Sequence, residues 1–149
     1  MVNTSTLPSP FTMAGAPYLI THMINVLLLS VFIMAMIAPR RLCESALYPQ
    51  APNKPLPTFF WVFAVRELVL GLIMLILQFH GEWRAVAVVV GCISLNGITD
   101  FWFCAMEVGF DESVKSKGKV NMWWASFKAH GIPTIVGLWA ATRLWQEHW

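Results

Sequence analysis

FFWVFAVRELVLGLIMLILQF, residues Phe59 to Phe79, is an almost unbroken apolar run interrupted by one adjacent pair of charges, Arg66 and Glu67. Its length is what a helix needs to cross a hydrocarbon core of roughly 30 Å at about 1.5 Å per residue. Reading outward, three further runs have the same character: Tyr18 to Ala38, Ala85 to Glu107 and Met122 to Trp145. The whole chain has 149 residues, 57% hydrophobic and 12% charged, with a mean hydropathy of +0.60. That composition excludes an ordinary soluble domain. The expected fold is all-α: one transmembrane domain over residues 1–149, built as an integral-membrane four-helix bundle.

Each run has its own punctuation. Pro39-Arg40-Arg41 stops the first, His80-Gly81-Glu82 separates the second from the third, and residues 109–119 separate the third from the fourth. Pro49, Pro52, Pro55 and Pro57 enforce an extended path between the first two spans, which reads as a cap or linker and not a helix. No positive residue precedes the first span and its apolar run is too long for a signal-peptide core, so it is expected to stay in the mature protein. Arg40, Arg41, Lys54, Lys115, Lys117 and Lys119 fall on one side of the spans, against Arg84, Arg143 and the terminal amine on the other. The positive-inside rule then puts both termini in the lumen, with the endoplasmic reticulum as the expected membrane. Trp61, Trp123 and Trp124 are expected at the cytoplasmic boundary and Trp83, Trp145 and Trp149 at the lumenal one, where Asn3-Thr4-Ser5 forms a glycosylation sequon.

A net charge of +2 supplies no phosphate-tracking stripe, which argues against nucleic acid as a partner. Cys43, Cys92 and Cys104 are odd in number and unrelated in spacing, so neither a disulfide framework nor a zinc site is indicated. They read as small buried hydrophobes.

Ionisable residues inside spans are costly, and each is a functional candidate for that reason. The second and fourth spans enter from the cytoplasmic side and the third leaves toward it. Arg66, Asp100 and His130 therefore all lie roughly 10 to 12 Å below the same surface, by counting at about 1.5 Å per residue. Helical spacing groups Asn96, Asp100 and Glu107 on one face of the third span, Ser126, His130 and Thr134 on one face of the fourth, and Tyr18, His22 and Asn25 on one face of the first. Pro133 crowds the carbonyl of Ala129, so a bend is expected beside His130. Gly71 allows a close helical neighbour.

These stripes describe a polar pocket in an apolar bundle. Asp100, Glu67, Arg66 and His130 are its catalytic candidates. Asn96, Asn25, His22, Trp102 and Phe103 are the residues expected to touch a substrate, the aromatic pair as a wall for a lipophilic ligand. One Arg compensates one carboxylate in low dielectric, so with two acids present one is expected to hold its proton unless His130 is cationic. Such a pair is a ready acid/base combination. The plainer readings stand beside this one: Arg66 with either acid as a packing ion pair, His130 as a satisfied core residue, Lys128 as a snorkelling side chain, and His22 and Asn25 as interhelical hydrogen-bond partners.

The sequence has no GxSxG, P-loop, GxGxxG after a strand, HExxH or CxxC. What remains is cofactor-free acid/base chemistry on a lipophilic small molecule, with membrane lipid as the other partner. A homodimer would enlarge so thin a bundle. A membrane terpene cyclase or isomerase, using one protonated acid and aromatic walls, and a non-enzymatic carrier or scaffold are the alternatives.

Ala64-Val65-Arg66-Glu67-Leu68-Val69-Leu70-Gly71, then His80-Gly81-Glu82, then Asp100 late in the next span, resemble a known pattern. The chain is similar to small, largely fungal four-helix membrane proteins of natural-product gene clusters, and among these to the transmembrane epoxide hydrolases of citreoviridin- and aurovertin-type polyketide pathways. The resemblance implies opening of a lipophilic polyketide epoxide, with Arg66, Glu67 and Asp100 as the matching polar positions. Asp100 would act as base, positioned by Arg66 and Asn96, and protonated Glu67 as acid, with His130 as its substitute; the reverse assignment of base and acid stands beside this one.

Overall fold

The computed structural model describes residues 9, 12–45, 55–56, 58–107 and 122–149. Asn3-Thr4-Ser5, Lys54, three of the four linker prolines and the lysines at 115, 117 and 119 lie outside them, as does the side chain of Glu107. Among the described residues every regular element is helical: α1 (Ala16–Ile37), α2 (Pro39–Ser45), α3 (Thr58–Phe79), α4 (Trp83–Glu107), α5 (Met122–Ser126), a π-helical turn (Phe127–Gly131) and α6 (Ile132–His148).

Local chemistry explains where each helix stops. Ala38 precedes a proline, which disfavours helical backbone, and it sits at φ −143° and ψ 61°. Pro39 then serves as the pre-shaped first residue of α2. This short helix was not expected from the sequence. It buries Leu42 and Cys43 and exposes Arg41 and Glu44, and burial pushes the Cys43 thiol up, so it stays protonated. At the α3 C-terminus Gly81 adopts φ 70°, the Gly81 N–H donates to Gln78 O at 3.1 Å and the Glu82 N–H to Leu77 O at 2.9 Å. That pairing satisfies the last carbonyls of α3 and reverses the chain into α4 within a few residues.

Among the described residues three helices, Ala16–Ile37, Thr58–Phe79 and Trp83–Met106, are long and apolar enough to cross a membrane. The expected continuous fourth span, Met122 to Trp145, is instead divided by the π turn, and the α-helix that follows it, Ile132–His148, has 17 residues. The cause is Pro133. It cannot donate to Ala129 O, and the backbone widens before it, so that the Ile132 N–H reaches back five residues to Phe127 O. The bend expected beside His130 is thus a π turn that contains His130.

α1 packs on α3 and α6, and α4 packs most extensively on α6. The α4–α6 seam depends on small residues. A Cβ on Gly97 would overlap the Thr134 hydroxyl, and one on Gly137 would come within 2.6 Å of Ser94 Oγ. Gly71 lets Leu29 of α1 approach: a Cβ there would lie 2.6 Å from its Cδ2. Gly97→Ala is expected to cost about 1–3 kcal/mol, read as a lower unfolding temperature in detergent, because the buried Thr134 hydroxyl must be displaced from the seam. Gly91→Ala, with nothing within 4 Å of the added atom, is the control expected to raise stability by about 0.4–1 kcal/mol, through helix propensity alone.

Two apolar clusters close the bundle at its ends. Leu28, Met74, Trp83, Val86, Val90 and Leu144 belong to the one away from α2; Ala35, Leu42, Cys43, Phe60 and Ala64 form the one beneath α2. The outer surface is apolar as well, with Val26, Ile33, Val62, Val65, Leu75 and Ile76 all exposed, which is the surface of an integral membrane protein. Trp83, the first residue of α4, is buried and wedged edge-on between Tyr18 and His22. Cys92 departs from expectation, facing outward where burial was expected.

Candidate functional site

Between the two clusters lies a cavity of about 320 Å³. This falls at the lower end of the roughly 300–1,000 Å³ typical of ligand pockets. Its two sides differ in chemistry. α1 contributes Ile24, Leu27, Leu28 and Val31, whereas the opposite side carries Arg66, Glu67, Asn96, Asp100 and His130, with Ser94 and Thr134 beside them. Leu42 and Ser45 of α2 lie over one end.

Arg66 donates to Glu67 Oε1 twice, from Nε at 2.9 Å and from Nη2 at 2.7 Å. Neighbouring helical residues diverge by about 100°, so the Arg66 side chain must curl around the helix to do this. Phe63, one turn earlier, supports the curl: the guanidinium carbon lies 5.1 Å from its ring centroid. The same Nη2 stands 3.8 Å from Asp100 Oδ2 on α4. Arg66 therefore bridges two carboxylates from different helices. Side-chain exposures of 37% for Arg66, 9% for Glu67 and 23% for Asp100 make the bridge reachable from the cavity mouth, with Glu67 innermost. Ser126 Oγ donates to Phe101 O at 2.8 Å, fastening the start of the π turn to α4 one residue beyond Asp100. That contact holds His130 level with the acids.

Of the residues named from the sequence, the cavity brings together Arg66, Glu67, Asp100, His130 and Asn96. His22 and Asn25 do not line it. Their partner is Gln78 of α3, whose Oε1 takes the Asn25 amide and pairs with His22 Nδ1, both at 3.1 Å. They belong to a polar group at the end away from α2, near the Tyr18 hydroxyl and His148 Nε2, which are 2.8 Å apart. Gln78 was overlooked because it sits inside an otherwise apolar run. Trp102 and Phe103 do not wall the cavity either; each is 55% exposed on the outer face. From Asp100 at the margin of the inward face, turns of about 200° and 300° carry them past the seam. Phe63 is the aromatic ring that lines the cavity. Lys128 sits outside with its Nζ 5.1 Å from the Trp124 ring, as a snorkelling side chain does.

The contribution of α2 to the cavity was also missed. Its signal was present in Pro39-Arg40-Arg41-Leu42-Cys43-Glu44-Ser45, a proline start followed by an apolar pair flanked by charges. Among the described residues no group of three or more His, Cys, Asp or Glu is placed to hold a metal ion.

A protein-family model described as a domain of unknown function, DUF4267, matches residues 25–143. The chain belongs to the DUF4267 family. No curated protein and no solved structure matches it. The DUF4267 match takes in every polar residue of the cavity, and it leaves out Tyr18, His22 and His148 of the other polar group.

Proposed function

We propose that this DUF4267 protein is a cofactor-free membrane epoxide hydrolase that opens a lipophilic, polyketide-type epoxide within the bundle. The carrying observation is Arg66, held between Glu67 and Asp100 from two helices at the wall of a cavity whose other wall is hydrocarbon. Soluble limonene-type epoxide hydrolases use two carboxyl groups bridged by Arg; the similarity is one of site content alone.

In the proposed ground state Asp100 is ionised, Arg66 is cationic and Glu67 holds a proton, so the triad is neutral, as a low-dielectric site requires. Both Arg66 donors converge on Glu67 Oε1, and among the described residues no hydrogen bond is made to Oε2, which suits Oε2 to carry that proton. Asp100 removes a proton from water as the water oxygen bonds to an epoxide carbon. The C–O bond of that carbon breaks, and the departing oxygen takes the Glu67 proton. The product is a diol containing one added water; the proton on Asp100 returns to Glu67 to restore the site. An internal hydroxyl in place of water would give a cyclic ether by the same transfers.

In this reading Met122–His148 crosses the membrane as a fourth, broken span, since neighbouring helices and the π turn re-satisfy a proline-interrupted backbone. Both termini then share the lumenal side of the endoplasmic reticulum, and the triad lies roughly 10 Å beneath the cytoplasmic surface.

Microsomes carrying the full chain, given 10,11-epoxyfarnesol in H₂¹⁸O, are expected to form the singly ¹⁸O-labelled diol faster than microsomes without it. Equal rates across a panel of lipophilic epoxides, with the protein present at normal levels, would refute the reading.

A further inference from the structure

A ligand needs a way into the cavity, and the ends of the bundle do not provide one. The cluster that holds Met74, Trp83 and Val90 packs one end, and the cluster beneath α2 packs the other. The entrance is therefore on a side. α1 packs along α6, but the segment before α6 behaves differently: α5 and the π turn pack on α4 and scarcely on α1. Among the described residues, those that line the cavity and are also exposed mark its rim. They are Leu27 of α1, at 52%, Pro133, and Ser45 at the end of α2. Half-buried Val31 and Ala129 continue the rim on either side, so these lips are hydrocarbon. The side between α3 and α4 is unlike them, because the Arg66–Asp100 contact crosses it.

Depth decides what lies outside the mouth. Leu27 is the twelfth of the 22 residues of α1, about 15 Å from either end of the helix at 1.5 Å per residue. In a span across a hydrocarbon core of roughly 30 Å that is the midplane, among acyl chains and beyond the reach of water.

We infer that the cavity opens sideways into the bilayer between Leu27 and Pro133, and that its ligand is a neutral lipophile dissolved among the acyl chains. The molecule enters with its reactive end leading toward Arg66 and Asp100. A phosphate or carboxylate on it would first have to be carried to the midplane, which hydrocarbon penalises heavily. The inference rests on the cavity being the ligand site of the proposed function, though not on which bond is broken there.

The probe is farnesol with a fluorinated chain end, which has no epoxide and is not consumed. In nanodiscs holding the purified full-length protein, ¹⁹F exchange between lipid-dissolved and bound probe gives both rate constants. Leu27→Trp is expected to slow association and dissociation together by about tenfold with affinity little changed, because an obstacle in the entrance raises the barrier in both directions. Leu27→Ala is expected to speed both. Val26→Trp alters a neighbour that is 67% exposed and does not line the cavity, and it is expected to leave both rates unchanged. Fluorinated farnesyl diphosphate is expected to give no bound signal. Unaltered rates in folded Leu27→Trp and Leu27→Ala overturn the entrance, as does a change in dissociation alone, which would make Leu27 a wall. A bound signal from the diphosphate overturns the ligand class. If position 27 controls exchange while no epoxide is ever opened, the entrance stands and the hydrolase reading falls; diol formation with exchange indifferent to position 27 gives the reverse.

Discussion

Glu67→Gln and Asp100→Asn are each expected to lower epoxide turnover by about 10²- to 10⁴-fold, the range for removing a positioned acid or base. Both substitutions preserve volume and hydrogen-bonding shape. In Glu67→Gln the new amide can still accept from Arg66 through its carbonyl oxygen, so the 2.7 and 2.9 Å contacts have a counterpart in the variant. What it lacks is an acidic proton to give. In Asp100→Asn the side chain likewise keeps its place on α4 but cannot take a proton from water. The losses should therefore appear in kcat at normal protein level, with KM little changed, because neither group is asked to hold the apolar body of the ligand. Full activity in both variants would exclude the mechanism. Activity lost only together with the folded protein would reassign the triad to packing.

The second large effect concerns stability and separates the roles of the two acids. Arg66→Met is expected to destabilise the protein by roughly 3 kcal/mol, the low end for breaking a buried pair because Arg66 is 37% exposed. Its removal strands whichever carboxyl group is ionised. If Asp100 carries the charge and Glu67 the proton, then Arg66→Met/Asp100→Asn leaves no charge in the site and recovers most of the loss, while Arg66→Met/Glu67→Gln does not. Unfolding of these variants and the wild type in mixed micelles completes the cycle. Recovery through Glu67→Gln instead would exchange base and acid.

Several features of the site were legible in the sequence because helices are rigid rulers. Arg66, Asp100 and His130 were placed at one depth by counting residues, and all three line one cavity. Asn96, one turn before Asp100, came with them. Features that depend on rotation about a helix axis were not legible. Trp102 and Phe103 lie two and three residues after Asp100, yet both rings face outward, on the far side from the close Gly97–Thr134 and Gly137–Ser94 approaches. His22 and Asn25, of which Asn25 is buried and His22 exposed, were recognised as polar partners between helices. Their partner was not, because nothing local marks Gln78 as the apolar-run residue that faces α1.

Pro133 shows the same division within one residue. Its chemistry guarantees a disturbed helix next to His130, and the sequence alone carries that much. Whether the backbone would kink, tighten or widen depended on its neighbours, and with Ser126 tied to Phe101 O it widened into a π turn.

By itself the sequence determined that long apolar helices build the protein and where along its helix each charge falls, since hydropathy and the rise per residue are local properties. The tertiary structure alone decided that Arg66 bonds Glu67 and reaches Asp100, that α2 lies over the cavity and that Trp102 and Phe103 face out. Those outcomes follow from how each helix is rotated against its partner, which is settled by packing between residues far apart in the chain.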